Sequence, residues 1–135
     1  HKDKLIQIKK ENGADFLTNE VKRNIISYSA DTPIDDYERY HNSEVLIHEA
    51  TFLTKEETNT KTGKNKHSSL DEVFEMVANI KVDKLILGHF SSRYDQHEID
   101  AAIKKHIQQY NIKIPVYRIP VGKAVKNILA QEPIN

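Results

Sequence analysis

What most constrains this chain is a repeated event in which a short apolar run stops at residues that carry chemistry. Asn24-Ile25-Ile26-Ser27-Tyr28-Ser29 gives way to Asp31-Thr32-Pro33, Val45-Leu46-Ile47 to His48-Glu49, and Lys84 to Leu87 to Gly88-His89. Runs of this kind, bounded by Gly, Pro and Asp, read as strands. Helical patterns separate them. Ser69-x-x-Glu72 matches a capping box opening a helix from Leu70 to Ile80. Within it Leu70, Val73, Phe74, Val77 and Ala78 follow the spacing of one buried face. Asp95 to Tyr110 predicts the next helix, with Ile99, Ala102, Ile103 and His106 on one stripe, and Ile114 to Ile119 a late strand. Strands alternating with helices predict an α/β layered fold. In such sheets ligands sit outside the carboxyl ends of the strands, where the three polar clusters fall.

The remaining segments are plainer. Leu5 to Lys9 reads as a strand followed by a Glu11-Asn12-Gly13 turn. Ile34 to His41 predicts a short helix with Asp35 and Asp36 in its first turn, where the helix dipole favours them. Lys55 to Lys66 holds no apolar residue and reads as a solvated loop. Val121 to Leu129 has helical spacing but strand-forming Val and Ile, and stays open between the two.

Size allows one domain over 1–135. Lys plus Arg and Asp plus Glu both number 20, so there is no general electrostatic pull toward nucleic acid and any RNA contact has to be local. Without cysteine there is no disulfide and no thiolate metal site; a metal here must use His and carboxylate. The lack of Cys fits a cytoplasmic protein, and no apolar run reaches the length of a membrane helix. The chain opens His1-Lys2-Asp3-Lys4 without Met, directly before the apolar run, so the expectation is the later portion of a longer protein.

Each polar residue has a bland reading and a chemical one. Asp31 in Asp-Thr-Pro is most simply a turn or cap residue; as a ligand it is a hard oxygen donor able to bridge two metals. His89 after an apolar strand is equally a buried side chain or a ligand, but Gly88 before it and Ser91, Ser92 and Arg93 after it favour a site. Arg93 offers a planar fork suited to phosphate, against the simpler surface ion pair. His67 reads as an exposed loop histidine or as a proton donor to a leaving oxygen, with Glu49 its orienting carboxylate. Strand alternation points His48 away from Glu49, toward a structural role. His41, His97 and His106 have no partners in sequence and read as non-functional.

Taken together, Ala30-Asp31-Thr32, His48-Glu49-Ala50-Thr51-Phe52, His67-Ser68-Ser69 and Leu87-Gly88-His89-Phe90-Ser91-Ser92-Arg93-Tyr94 resemble ribonuclease Z, the tRNA 3′-processing endonuclease of the metallo-β-lactamase superfamily. The likeness covers roughly residues 25 to 120. It implies the C-terminal half of an αββα sandwich, with the N-terminal metal-binding half absent. Carried over by position, Asp31 matches the aspartate that bridges two zinc ions and His89 the late histidine ligand. His67 matches the leaving-group proton donor and Glu49 its support, while Ser91, Ser92 and Arg93 lie where the family contacts substrate phosphate. The family's His-x-His-x-Asp-His motif, which supplies most metal ligands and the general base, does not occur in this sequence. Neither does the Gly/Pro-rich arm that grips tRNA.

The resemblance implies a zinc-dependent phosphodiesterase, with two ions in the complete enzyme and Mn2+ or Mg2+ as substitutes. It would remove the 3′ trailer of precursor tRNA with a metal-activated water. Two protein ligands fall short of a zinc site, so the expectation is that this chain is inactive until joined by the missing N-terminal half. The alternatives are a related hydrolase of a small phosphodiester or ester, or an inert structural half. A sheet built to pack on a second sheet leaves an apolar face, so a homodimer, or pairing with the missing half, is expected.

Overall fold

The computed structural model describes residues 22–58 and 66–135. The strand expected at Leu5–Lys9, its turn, and the middle of the Lys55–Lys66 loop lie outside the described residues. Strand β1 spans Asn24–Tyr28, β2 Ser43–Glu49, β3 Val82–Gly88 and β4 Val116–Arg118, joined in one parallel sheet of order β1-β2-β3-β4. Helix α1, Leu70–Asn79, connects β2 to β3, and α2, Gln96–Gln109, connects β3 to β4. The α/β expectation therefore holds, as a parallel four-stranded sheet with two α-helices among the described residues.

Both helices begin where the sequence places them. Ser69 and Glu72 form a reciprocal box: the Glu72 amide donates to Ser69 Oγ at 3.2 Å and the Ser69 amide to Glu72 Oε2 at 2.8 Å. Asp95 caps α2 by accepting the Glu98 amide at 2.8 Å. Leu70, Val73, Phe74 and Val77 of α1 pack with Ile99 and Ile103 of α2 on Leu46, Leu85, Leu87 and Val116 of the sheet. The stripe's margin differs from expectation, since Met76 is buried and Ala78 exposed. A stripe has two margins of equal standing, and neighbouring elements decide which one is covered.

Two expected elements shrink. Ile34–His41 is a single 3-10 turn, Tyr37–Arg39, because Asp36 accepts the Glu38 amide and the chain must then enter β2. The open Val121–Leu129 segment is neither helix nor strand, and contains only the start of a 3-10 turn at Ile128–Ala130. Lys55–Thr58 forms another 3-10 turn, with Lys55 and Glu56 exposed as the solvated reading expects and Thr58 alone buried.

Partner residues in a parallel ladder share a face, which splits the sheet. Leu46, Leu85 and Val116 face the helices, while Ile26 beside Val45, Tyr28 beside Ile47, and Ile86 beside Tyr117 face away. On that second face Ile26 is 64 % and Tyr28 70 % exposed. Among the described residues, no helix is long and apolar enough to cross a membrane.

Candidate active site

The ends of β1, β2 and β3 lie side by side because Tyr28 pairs with Ile47 and Glu49 with Gly88. The chain leaves β1 and β3 through left-handed residues, Ala30 at φ 52° and His89 at φ 60°. Non-glycine residues rarely adopt this conformation, and when they do it is at sites where the surroundings hold them. The sharp turn thus falls on His89 itself, not on Gly88, whose missing side chain only makes room beside Ile119.

Asp31, His67 and His89 converge. Each offers one ligand atom, and these atoms lie within 4.8 Å of one another. Asp31 Oδ1 is 3.4 Å from His89 Nε2, close to the ~3.3 Å that separates ligands in a tetrahedral site with bonds near 2.0–2.1 Å. Two imidazoles and a carboxylate suit zinc, and the oxygen donor also suits manganese or magnesium. His67 stands beside the expected pair, one ring nitrogen within 4.8 Å of both.

Glu49 sits beneath this cluster, 3 % exposed. Its Oε1 accepts from the Thr32 amide at 3.2 Å, the Ser68 amide at 2.9 Å and His67 Nδ1 at 3.2 Å. Its Oε2 accepts the Thr51 amide at 2.9 Å and the Thr51 hydroxyl at 2.7 Å. A buried carboxylate is costly without partners; here donors from three loops satisfy it. The His67 and His89 rings stack with centroids 5.5 Å apart.

His48 takes the opposite course, as the alternation requires. It is buried beside Tyr40, its Nδ1 donates to the Glu49 carbonyl at 2.7 Å, and its Nε2 is buried without a hydrogen-bond partner. Burial pushes its pKa below the ordinary histidine value, more strongly than the hydrogen bond to Glu49 raises it. His106, read as non-functional, has a structural place, with Nδ1 against the Ala102 carbonyl at 2.7 Å and Nε2 on the Asp71 carboxylate, linking α2 to α1. His41 accepts the Lys81 amide at 3.1 Å.

The Ser91–Arg93 segment borders the cluster without joining it. The Ser91 amide donates to the Thr51 carbonyl at 2.9 Å, and Arg93 Nε to Ser91 Oγ at 3.3 Å. The Arg93 guanidinium lies 5.2 Å over the Phe52 ring, and Phe52 meets His67 edge-on at 6.4 Å. Its ion pair with Glu57 is loose, 3.9 Å. Ser92 is exposed. Thr51 and Phe52 are the contributors that residue-type reasoning missed; a hydroxyl two residues beyond a strand-end carboxylate was the available signal.

No family profile matches the chain. Curated relatives do. It is 37 % identical over 90 residues to ribonuclease Z of Methanocaldococcus jannaschii, covering 64 % of this chain and 28 % of that protein. It is 33 % identical over 120 residues to ribonuclease Z of Methanococcus aeolicus, covering 78 % of this chain and 36 % of the relative. It is 34 % identical over 88 residues to ribonuclease BN of Proteus mirabilis, covering 64 % and 28 %. The chain is thus similar to one part of ribonuclease Z and spans about a third of the length of the relatives it matches.

Proposed function

We propose that this chain is the C-terminal part of a metal-dependent phosphodiesterase of the ribonuclease Z kind, acting on the 3′ trailer of precursor tRNA in the cytoplasm. The observation that carries the reading is the convergence of Asp31, His67 and His89 above the buried Glu49 carboxylate. Asp31 and His89 would hold the metal, zinc for preference with Mn2+ or Mg2+ as substitutes. When bound, such an ion polarises the phosphoryl oxygens and lowers the pKa of water. His67, with Nδ1 donating to Glu49, would deliver a proton from Nε2 to the departing 3′ oxygen. Glu49 fixes the orientation of the ring. Arg93, laid on Phe52 beside His67, would meet the substrate phosphate, with Ser91 and Ser92 adding hydroxyl donors.

We assign 1–135 to one half-domain of an αββα sandwich. Parallel sheets are normally covered on both faces, and Ile26, Tyr28, Val45 and Ile47 form an apolar patch on the face that, among the described residues, carries no helix. A depression lined by Tyr28, Asp31, Ile47, Gly88, His89 and Ile119 joins that patch to the cluster. An N-terminal half seated there would cover the patch and complete the metal ligands together; a homodimer is the way this chain covers it alone.

The test is cleavage of a precursor tRNA carrying a 3′ trailer, with zinc or manganese, by this chain alone and by the longer protein that contains it. Processing only by the longer form is expected. No processing by it, or hydrolysis of a small phosphodiester instead, overturns the tRNA reading. Calorimetry with zinc on this chain separates a metal half-site from an inert structural half, and His89→Ala abolishes the uptake expected of the former.

A further inference from the structure

We infer that Thr51 is a positioning residue whose hydroxyl ties both site histidines to one carboxylate and fixes the tautomer in which His89 presents Nε2 toward Asp31. The meaning for metal binding rests on the function proposed above; the hydrogen-bond argument does not.

A threonine hydroxyl has one hydrogen to donate and two lone pairs. Thr51 Oγ1 has three polar neighbours: Glu49 Oε2 at 2.7 Å, His89 Nδ1 at 2.9 Å and His67 Nδ1 at 3.3 Å. Glu49 Oε2 already accepts the Thr51 amide at 2.9 Å, and its sister oxygen accepts two further amides. Every donor around this carboxylate points inward, so the hydroxyl hydrogen goes to Glu49. Oγ1 is left as an acceptor, and His89 Nδ1 must carry the proton that fills it. The His89 lone pair then sits on Nε2, 3.4 Å from Asp31 Oδ1.

His67 is driven to the same form by a different route. Its Nδ1 faces Glu49 Oε1 at 3.2 Å as well as Thr51 Oγ1, and both are acceptors. The rings stack at 24° with their Nδ1 sides toward Thr51. One carboxylate thus orients the proton donor directly and the ligand through a hydroxyl, a relay running His89–Thr51–Glu49–His67. Ligand histidines depend on such partners on the far nitrogen, whose loss typically costs about 10–100-fold in metal affinity. The backbone reinforces the arrangement, because the Thr51 carbonyl accepts the Ser91 amide just past His89.

The experiment uses this chain, labelled with 15N in its imidazoles and kept metal-free at a pH where the rings are neutral. In wild type, His89 is expected to carry its proton on Nδ1. Thr51→Val keeps the shape but removes the hydroxyl, so the proton moves to Nε2; Thr51→Ser keeps the hydroxyl and the wild-type pattern. Zinc calorimetry adds a second readout: affinity falls about 10–100-fold in Thr51→Val and returns in Thr51→Ser. A wild-type His89 protonated on Nε2 overturns the inference without any variant. So does a Thr51→Val protein that keeps the Nδ1 proton, or a Ser variant that behaves like Val. If wild type takes up no zinc, the metal half-site fails while the tautomer still decides the role of Thr51.

Discussion

The two faces of this sheet are built from the same strands with the same alternation of apolar side chains, yet they differ in cover at the β1 edge, while Ile86 and Tyr117 on the second face are buried. On one face Leu46, Leu85 and Leu87 are fully sealed under α1 and α2. On the other, Ile26 and Tyr28 stand largely in solvent at the edge strand. The covered face explains why the chain folds. The open face is where the half-domain proposed above would receive its cover, because its apolar area lies next to the cluster of ligand atoms.

The comparison breaks most sharply under a cavity in the covered face. Phe74→Ala removes a fully buried ring, and the loss of unfolding free energy is expected at about 3–5 kcal/mol, read by denaturant titration with the slope unchanged. The second effect is a pH slope. His48 is neutral in the folded core with a lowered pKa, so the unfolded chain binds its proton more readily. Its contribution is fully present above about 6.5, the unfolded value, and is lost as pH falls from there toward the lowered folded value. The unfolding midpoint should drop over that window, and drop less in His48→Asn, whose amide can donate to the same carbonyl; an equal slope in both proteins refutes the assignment.

Smaller effects sharpen the contrast. Ser69→Ala removes one side of the capping box of α1 and is expected to cost about 1 kcal/mol. On the open face, Ile26→Ser should change unfolding of the single chain by no more than about 0.5 kcal/mol, while weakening self-association seen by light scattering. A loss as large as that of Phe74→Ala would mean that this chain already covers Ile26.

The elements and the three strand-end clusters were legible because period and punctuation are local signals. Leu70, Val73, Phe74 and Val77 announce their face, and Ser69 and Glu72 announce where the helix starts. The opposite aims of His48 and Glu49 followed from alternation alone. What stayed hidden depends on three-dimensional neighbours. His106 is engaged because α1 brings Asp71 to it from 35 positions away. Nor could composition reveal Thr51, whose part is defined by a carboxylate at the end of β2 and two imidazoles from two other segments. The short helix expected over Ile34–His41 failed because the cap at Asp36 supports only one turn before the chain turns back into β2.

The bridge between Phe52 and Ser69 has a practical consequence. The Leu70 amide donates to the Phe52 carbonyl at 2.8 Å, and the Ser68 amide to Glu49 at 2.9 Å, so the chain is fastened just before and just after the polar stretch that connects them. Because closing a longer loop costs only about 0.6 kcal/mol per doubling, added sequence between those fastenings is almost free for the rest of the molecule. A fluorophore tag or affinity handle spliced between Thr58 and Lys66 would leave both fastenings in place.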